Sequence, residues 1–531
     1  MEKKELIESG RTALGIELGS TRIKAVLTDY QGNVLAVGFH DWENSLIDGI
    51  WTYSFDEIDA GIRDCYGSLR TAVEKSYGVT IKKLGAFGVS AMMHGYIALD
   101  KNEKPLAPFQ TWRNTNTQAA ADELTELFQF NIPLRWTIAH LYQCILDEEP
   151  HIASLDYVTT LASYIHLKMT GRRVIGVGDA AGIFPIDSEK IDYDQEMMDK
   201  FGKLTAARNY PWQLRDILPK VLTAGDDAGT LTPEGAALLD ETGNLEAGVL
   251  MCPPEGDAGT GMVATNSVAP RTGNVSAGTS TFAMVVLEKK LSKLYREIDM
   301  VTTPTGFPVA MSHANNGTSD LNAWVNIFKE FAELMGIEAD AGTLYGKLYT
   351  NSLKGDPDCG GLLSYGYYSG ENITMINEGR LLFARMPKSN FNLANFMRVH
   401  LYTSLGAVKL GMDILAKENV KIDKMLGHGG FFKTKGVGQR YLAAAVGAPV
   451  TVMDTASEGG AWGMALLAAY AVCGKNDGKL EDFLEKRIFA DMSGSTIDPD
   501  PADKEGFAKF MEHYKAGLEV EKAAIKAMDW E

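Results

Sequence analysis

Cysteine is scarce in this chain, and the few copies form no pattern. Among 531 residues there are five cysteines, an odd number, and no two have the spacing of metal ligands. A small fold held together by disulfides is therefore excluded, and a reducing cytoplasm is the expected compartment. Cys252, which stands close to a candidate active-site motif, is predicted to be a small buried hydrophobe.

Long apolar runs and excess positive charge are also missing. The longest apolar stretch, Ala461 to Cys473, is shorter than the ~20 residues that a membrane span needs. The N-terminus lacks the apolar core of a secretory signal. The formal net charge of -18 argues against nucleic acid or an anionic membrane as the main partner. A phosphate ligand stays open, because backbone N–H groups bind phosphate without net positive charge.

Three common nucleotide and metal motifs are absent as well. There is no Gly-x-x-x-x-Gly-Lys-Ser/Thr loop, no Gly-x-Gly-x-x-Gly turn opening a βαβ unit, and no His/Cys cluster. P-loop kinases, dinucleotide dehydrogenases and zinc hydrolases are therefore excluded. What is present, 45% hydrophobic and 23% charged residues, is ordinary for a globular enzyme. At ~150 residues per domain the length predicts roughly two to four domains.

One local pattern occurs twice. Ala13 to Leu18 is a predicted strand, followed by the turn Gly19-Ser20-Thr21 and a strand from Ile23 to Thr28. In the middle of the chain, Asn274 to Ala277, Gly278-Thr279-Ser280 and Phe282 to Val286 repeat this order. Two halves built on one plan is the simplest interpretation, although so short a repeat also arises by chance.

The last third of the chain reads as helical. A stripe of apolar residues predicts a helix from Ala394 to Ala416. Thr455-Ala-Ser-Glu458 fits a capping box that starts a helix running to about Val472. Asp498-Pro-Asp-Pro501 is interpreted as a linker, with a terminal helix over 504–529.

Both Gly-Ser/Thr turns are candidate phosphate sites. A tight turn between strands exposes backbone N–H groups and hydroxyls that can surround phosphate oxygens. In the first turn Ser20 and Thr21 supply hydroxyls, Lys24 is placed to add a charge, and Glu17 can hold Mg²⁺. In the second turn Gly278, Thr279 and Ser280 follow the same logic. Ordinary hairpins with polar turn residues are the alternative.

A single carboxylate is the candidate catalytic base. Asp257 follows a predicted strand and precedes a predicted helix, in Glu255-Gly-Asp-Ala-Gly-Thr-Gly261. Phosphoryl transfer needs a positioned acceptor and charge neutralisation, so one Asp with Mg²⁺ suffices. Alternatively, Asp257 caps the helix and binds only its own backbone.

Candidate substrate contacts lie in two further segments, and adenine contacts in a third. His94 in Ser90-Ala-Met-Met-His-Gly95 can bond a sugar hydroxyl, or it is structural. The Trp112-Arg113 loop can stack on a sugar, or it is a surface loop. The Gly429-Gly430 turn lets backbone approach a flat adenine, whereas the glycines of Glu458–Gly463 favour close helix packing.

Taken in this order, the motifs resemble the FGGY carbohydrate kinases of the actin-like ATPase superfamily. The resemblance runs from about Leu14 to Ala469. Gly88-Val-Ser-Ala-Met-Met-His-Gly95 looks like the family's sugar-binding strand end, in the form typical of xylulose kinases. The other matching segments are the two Gly-Ser/Thr turns, Trp112-Arg-Asn-Thr115, Gly178–Gly182, Gly256-Asp257, Gly427–Gly430 and Glu458–Gly463.

The resemblance implies an α/β fold of two actin-like, ribonuclease H-like domains. Each is a mixed β-sheet flanked by helices, with ATP and sugar in the cleft between them. Residues 12–263 would carry the sugar site, the first phosphate loop and the catalytic Asp257. Residues 264–531 would carry the second phosphate loop and the adenosine site. The family often forms dimers, so a homodimer is an expectation from the resemblance.

The resemblance also implies the ligands. MgATP is the expected donor, with Mg²⁺ near Glu17 and Asp257, and Met93, His94, Trp112, Arg113 and Asp257 would line the sugar site. D-xylulose is the favoured substrate, and L-ribulose is the second choice.

Three departures predict a divergent subfamily. Glu17 stands where the family usually has Asp, the segment Ser369 to Arg385 follows the family signature only loosely, and Gly-Gly-Phe-Phe-Lys-Thr replaces Gly-Gly-Ala-Lys-Ser. They also motivate an alternative, a non-catalytic sugar or nucleotide sensor on the same fold. A chaperone-like ATPase is disfavoured, because no segment resembles a peptide-binding region.

Overall fold

A computed structural model of the chain describes residues 2–338, 340–453, 458–474 and 478–529. Residue contacts divide the chain into two compact units. Unit 1 consists of Met1–Ala269, Met300–Val309 and Ala456–Asp491, and unit 2 of Pro270–Asp299, Ala310–Thr455 and Met492–Glu531. The units are interleaved along the chain, whereas the predicted domains 12–263 and 264–531 are continuous; the roles assigned to those ranges stay predictions.

Both units contain strands and helices. In chain order they are β1 (Ala13–Leu18), β2 (Arg22–Thr28), β3 (Val34–Asp41), β4 (Ser45–Ile47), β5 (Ile50–Thr52), β6 (Ala86–Ala91), β7 (Ile97–Leu99), β8 (Tyr157–Thr159), β9 (Val174–Gly176), β10 (Ile186–Asp187), β11 (Asp192–Tyr193), β12 (Lys220–Leu222), β13 (Leu250–Met251), β14 (Glu255–Gly256), β15 (Thr272–Ala277), β16 (Thr281–Val286), β17 (Asp299–Thr302), β18 (Pro308–Ala314), β19 (Leu362–Gly366), β20 (Leu381–Arg385), β21 (Lys424–His428), β22 (Val450–Met453) and β23 (Gly494–Ile497).

The helices range from single turns to 27 residues. They are α1 (Lys3–Glu8), α2 (Phe55–Tyr77), α3 (Gln118–Phe128), α4 (Thr137–Leu146), α5 (Leu161–Thr170), α6 (Val177–Ala180), α7 (Gln195–Thr205), α8 (Leu214–Ile217), α9 (Pro233–Leu239), α10 (Asp257–Ala264), α11 (Ser319–Leu334), α12 (Ala341–Ser352), α13 (Leu393–Lys417), α14 (Val437–Val446), α15 (Gly460–Ala469), α16 (Leu480–Phe483) and α17 (Pro501–Ala527). Within the described ranges no helix is long and apolar enough to span a membrane.

The sheets of the two units follow one plan. In unit 1 the strand order is β13-β6-β1-β2-β3, with β1 parallel to β6 and antiparallel to β2. In unit 2 the strands β18-β16-β15-β21-β22-β23 are neighbours in that order, with β15 parallel to β21 and antiparallel to β16. Each unit thus joins its first two strands by a Gly-Ser/Thr hairpin, and the predicted repeat is confirmed.

Glycines allow α15 to lie directly on the unit 1 sheet. A Cβ on Gly15 of β1 would lie 2.1 Å from the carbonyl oxygen of Ala461, and one on Gly463 would lie 2.0 Å from that of Thr260. Since neither backbone can move away, larger residues are excluded at both positions. The interpretation as packing residues is confirmed for Gly460 and Gly463, whereas a Cβ on Gly459 would have no atom within 4 Å.

Most predicted elements are found within two or three residues of their expected ends. α13 confirms the helix predicted for Ala394 to Ala416, and all five cysteines are free, with Cys252 buried as expected. Thr455 to Ser457 of the predicted capping box lie outside the described residues.

The linker prediction for Asp498 to Pro501 was wrong. Asp500 caps α17 by accepting hydrogen bonds from the amides of Ala502 (2.9 Å) and Asp503 (3.1 Å), and Pro501 is the first helical residue. An Asp-Pro pair at this place starts a helix, because the carboxylate binds free amides and proline fixes φ.

Candidate functional site

The first hairpin is held by its carbonyl groups. The oxygens of Gly19 and Ser20 accept from the Trp42 indole (2.7 Å) and the Tyr53 hydroxyl (2.5 Å), and that of Thr21 accepts from the Trp42 amide (3.2 Å). The amides of Ser20 and Thr21 donate no hydrogen bond to any of the described residues. The turn therefore leaves amides and hydroxyls available for an anion, as a phosphate-binding turn requires.

The aromatic support also links this hairpin to the predicted sugar loop. The rings of Trp42 and Tyr53 stack with centroids 4.1 Å apart. The indole of Trp112, which is 37% exposed, donates to the Ser20 hydroxyl oxygen at 3.1 Å. Trp112 is thus placed beside the first phosphate candidate rather than in a separate surface loop.

Arg113 points to different neighbours. Its guanidinium lies 3.6 Å from the centroid of the Trp51 ring and donates to Asn44 Oδ1 at 2.8 Å. This cation–π contact fixes the side chain in a defined position. The role of Arg113 in sugar binding stays a prediction.

Glu17 and Lys24 flank the start of α15. Glu17 Oε2 accepts a hydrogen bond from the amide of Ala461 at 3.0 Å, and Gly460 leaves room for the carboxylate. Burial, and next the negative charge of Asp257, raise the pKa of Glu17 to about 7. Lys24 forms an ion pair with Glu458, so a phosphate would compete with that carboxylate for the ammonium group.

Asp257 is the first residue of α10, directly after β14. Its Oδ1 accepts hydrogen bonds from the amides of Met93 (3.2 Å) and Ala258 (3.0 Å). The capping residue is Gly256, so the helix-cap alternative describes only one of these two bonds. The residue is exposed, but desolvation of its carboxyl group raises its pKa, while the two amide hydrogen bonds and the positive charge of Arg135 act in the opposite direction.

Two buried carboxyl groups lie behind Asp257. Asp179 accepts from the Thr160 hydroxyl at 2.6 Å, and Glu255 accepts from the amides of Gly178 (3.3 Å) and Asp179 (3.1 Å). Burial raises their pKa values to about 7 and about 8. Sequence reasoning missed Glu255, although a glutamate directly before Gly256-Asp257 in an apolar strand was a usable signal.

Met93 and His94 are buried and lie two and three residues after the end of β6. His94 has a left-handed backbone with φ of 69°, and its ring stacks on Trp136 at 6.2 Å between centroids. The next amide, of Gly95, donates to the Arg135 carbonyl at 3.2 Å. Strain at a non-glycine residue persists only where the surroundings hold it, which favours a functional position. Arg135 is a second residue that sequence reasoning missed.

The second hairpin, in unit 2, is also held by its carbonyl groups. The amide of Gly317 donates to Thr279 O at 2.7 Å, and the amide and hydroxyl of Thr318 donate to Gly278 O at 2.8 and 2.9 Å. In the part of the chain that the structure describes, the amides of Thr279 and Ser280 donate no turn hydrogen bond. The supporting loop before α11 was not singled out from the sequence.

The Gly429-Gly430 turn adjoins this hairpin. Gly429 has φ of 102°, and a Cβ there would lie 2.4 Å from the carbonyl oxygen of Ala277. Gly430 has no atom within 4 Å of its Cβ position. The turn therefore packs on the end of β15 on one side and is open on the other, a geometry that suits a flat ring.

Hard oxygen donors are available for a hydrated Mg²⁺. Glu17 and Asp257 are close enough for the charge of Asp257 to raise the pKa of Glu17. A dication near both would remove this repulsion, so the pair fits Mg²⁺ held partly through water. No set of three or more His, Cys, Asp or Glu side chains forms a closed metal site in the described ranges.

The two domains of one protein family together match most of the chain. The N-terminal domain of the FGGY family of carbohydrate kinases matches residues 12–243, and the C-terminal domain of that family matches residues 273–472. The chain belongs to the FGGY family of carbohydrate kinases. It is therefore a phosphotransferase acting on a small carbohydrate, with ATP as the family's phosphoryl donor.

Individual relatives agree with the family assignment. The xylulose kinase of Haemophilus influenzae is 23% identical over 522 residues, covering 95% of this chain and 99% of that protein. A xyloylose kinase from Brucella ovis has a TM-score of 0.77 and 19% identity, over 98% of this chain and 100% of that chain. A gluconate kinase from Lactobacillus acidophilus has a TM-score of 0.76 and 16% identity, over 97% and 98%. The predicted two-domain α/β fold with mixed sheets is confirmed.

Proposed function

We propose that this kinase transfers the γ-phosphoryl group of MgATP to a hydroxyl of a ketopentose, D-xylulose first and L-ribulose second. The observation that carries the proposal is the bond from the Met93 amide to Asp257 Oδ1. It joins the candidate base to the Met-His segment that is typical of xylulose kinases. The name of the Haemophilus influenzae relative, matched over nearly its whole length, supports the same substrate.

The reaction would be a direct in-line displacement. The sugar hydroxyl oxygen bonds to the γ-phosphorus, the bond from that phosphorus to the β–γ bridging oxygen breaks, and ADP leaves. Asp257 would accept the proton of the hydroxyl, since the residue is exposed and desolvation raises the pKa of its carboxyl group, which makes the carboxylate a stronger base. Mg²⁺ would neutralise phosphate charge near Glu17 and Asp257.

The remaining residues would bind and orient the substrates. Ser20, Thr21 and Lys24, together with Gly278, Thr279 and Ser280, would hold the phosphates, and Gly429 and Gly430 would contact adenosine. Met93, His94, Trp112 and Arg113 would line the sugar site. Arg135 joins this set, because its charge acts on Asp257 and its carbonyl binds Gly95.

The substrate is tested by ADP release with MgATP across a panel of pentuloses, hexuloses, polyols, glycerol and gluconate. We expect D-xylulose to raise turnover far above the water background, with L-ribulose next. Highest turnover with gluconate or glycerol would reject the ketopentose assignment. Ligand binding without ADP release for every compound would favour the sensor alternative.

A further inference from the structure

The loop that supports the second hairpin fits it closely. This loop, residues 315–318, connects β18 to α11 and places Gly317 against the hairpin. A Cβ on Gly317 would lie 2.4 Å from the oxygen of Gly278 and 2.9 Å from that of Thr279. Because the loop touches the hairpin without a side chain between them, a shift of the loop moves the hairpin.

Asn316 holds this loop in place. Its amide and its side-chain Nδ2 both donate to Glu371 Oε2, each at 3.2 Å. Its Oδ1 accepts from the amides of Tyr368 (2.9 Å) and Ser369 (3.1 Å). Asn316 is therefore fixed on both ends of its side chain and along its backbone by the segment that carries Glu371.

Glu371 is a costly residue at its position. It is fully buried, its Oε1 has no hydrogen-bond partner among the described residues, and burial raises its pKa to about 7. No cation in the described ranges forms a salt bridge with it. A carboxyl group buried without a counter-ion is costly to ionise, so such a residue is unusual in a protein interior. Glu371 nevertheless holds the loop 315–318, which supports the second hairpin.

We propose that Glu371 is a positioning residue for ATP phosphates, acting through Asn316 and the loop 315–318 on the second hairpin. The inference rests on the phosphate role proposed for Thr279 and Ser280. Glu371 binds Asn316, and the next two residues, Gly317 and Thr318, donate to the hairpin carbonyls. The position of those carbonyls in turn sets the position of the amides on the opposite side of the turn.

The test compares Glu371→Ala with Glu521→Ala in the full chain. Glu521 is an equally buried carboxyl group of the same unit; one oxygen accepts from the Arg380 amide (2.6 Å), and the other has no partner in the described part of the chain. It has no bond to the loop 315–318, so it is a matched control for the loss of a buried carboxyl group. Glu371→Gln keeps an acceptor oxygen for Asn316.

Calorimetry would measure the binding of MgATP, MgADP and adenosine without any sugar. For Glu371→Ala we expect both nucleotides to bind about tenfold more weakly and adenosine to bind as before, since the hairpin contacts phosphates only. Glu521→Ala should change the melting temperature but none of the three affinities. Glu371→Gln should stay within about threefold of the parent.

Unchanged MgATP affinity in a folded Glu371→Ala variant would overturn the proposal, as would equal losses for nucleotides and adenosine. If that variant does not fold, Asn316→Ala removes the same bridge from its other end and carries the same expectation. Because sugar is absent, a wrong substrate assignment leaves these readouts unaffected. A parent chain that binds no MgATP would instead reject the proposed function.

Discussion

The two Gly-Ser/Thr hairpins stand on the same strand pattern but are held by different means. The first is held by rigid aromatic side chains, since Trp42 and Tyr53 donate to its carbonyl groups. The second is held by the backbone of a neighbouring loop, which depends in turn on the buried carboxyl group of Glu371. In both, the turn carbonyls accept hydrogen bonds from the supporting groups. The glycine amide of each turn donates within its own hairpin, and the next two amides have no hydrogen-bond partner among the described residues. An anion-binding turn needs amides that are free to donate, whereas the donors that hold its carbonyl groups can come from side chains or from backbone.

The largest expected effect concerns Asp257, the proposed catalytic base. Asp257→Asn keeps the shape of the side chain but accepts no proton, so kcat should fall by about 10³-fold or more. MgATP affinity, measured by calorimetry, should stay close to that of the parent. Near-normal turnover in this variant would remove Asp257 as the base.

The pH dependence of stability distinguishes the ionisable support of the second hairpin, Glu371, from the aromatic support of the first. Unfolded Glu371 loses its proton near pH 4.5, whereas the folded protein keeps it to about 7. Stability therefore falls as pH rises from 4.5 to 7, by about 3 kcal/mol at most for this group. Glu371→Gln should lack this part of the loss in denaturant titrations at pH 5 and pH 8. Equal pH dependence in parent and variant would show that Glu371 is ionised or solvated in the folded state.

A larger residue in the supporting loop should disturb the second hairpin. In Gly317→Ala the new Cβ meets the Gly278 carbonyl at 2.4 Å, so we expect MgATP to bind about 30-fold more weakly. Gly346→Ala in α12 of the same unit is the control, because nothing lies within 4 Å of its Cβ position and alanine favours a helix. Similar affinities for both variants would mean that the hairpin does not bind phosphate.

The smallest change concerns the first hairpin. Tyr53→Phe removes only the hydroxyl that donates to Ser20 O, a bond worth about 1 kcal/mol. We expect the KM for ATP to rise about fivefold, with the melting temperature nearly unchanged because the ring stays stacked on Trp42. A KM for ATP equal to that of the parent would show that Trp42 alone holds this hairpin.

Local patterns predicted much of the fold. The strands around both hairpins alternate with turn residues at the expected places, and α13 carries a long apolar stripe that can be read directly. The Asp-Pro-Asp-Pro segment was misread, because the same residues suit a linker and a helix start until the following helix has a surface to pack on.

The supports of the site were harder to see. Glu371 and Asn316 are 55 residues apart, and no sequence motif contains both of them. Glu255 and Arg135 were missed for a related reason, since their importance comes from what surrounds them in space.

The sequence by itself indicated the family and the kind of reaction, and it predicted which turns bind phosphate, because these depend on residue types at short, regular spacing. Only the tertiary structure decided that Lys24 is paired with Glu458, that Asp257 is held by the Met93 amide, and that Glu371 supports the second hairpin. Such contacts join distant parts of the chain, and burial sets their charge and strength, so no local pattern contains them.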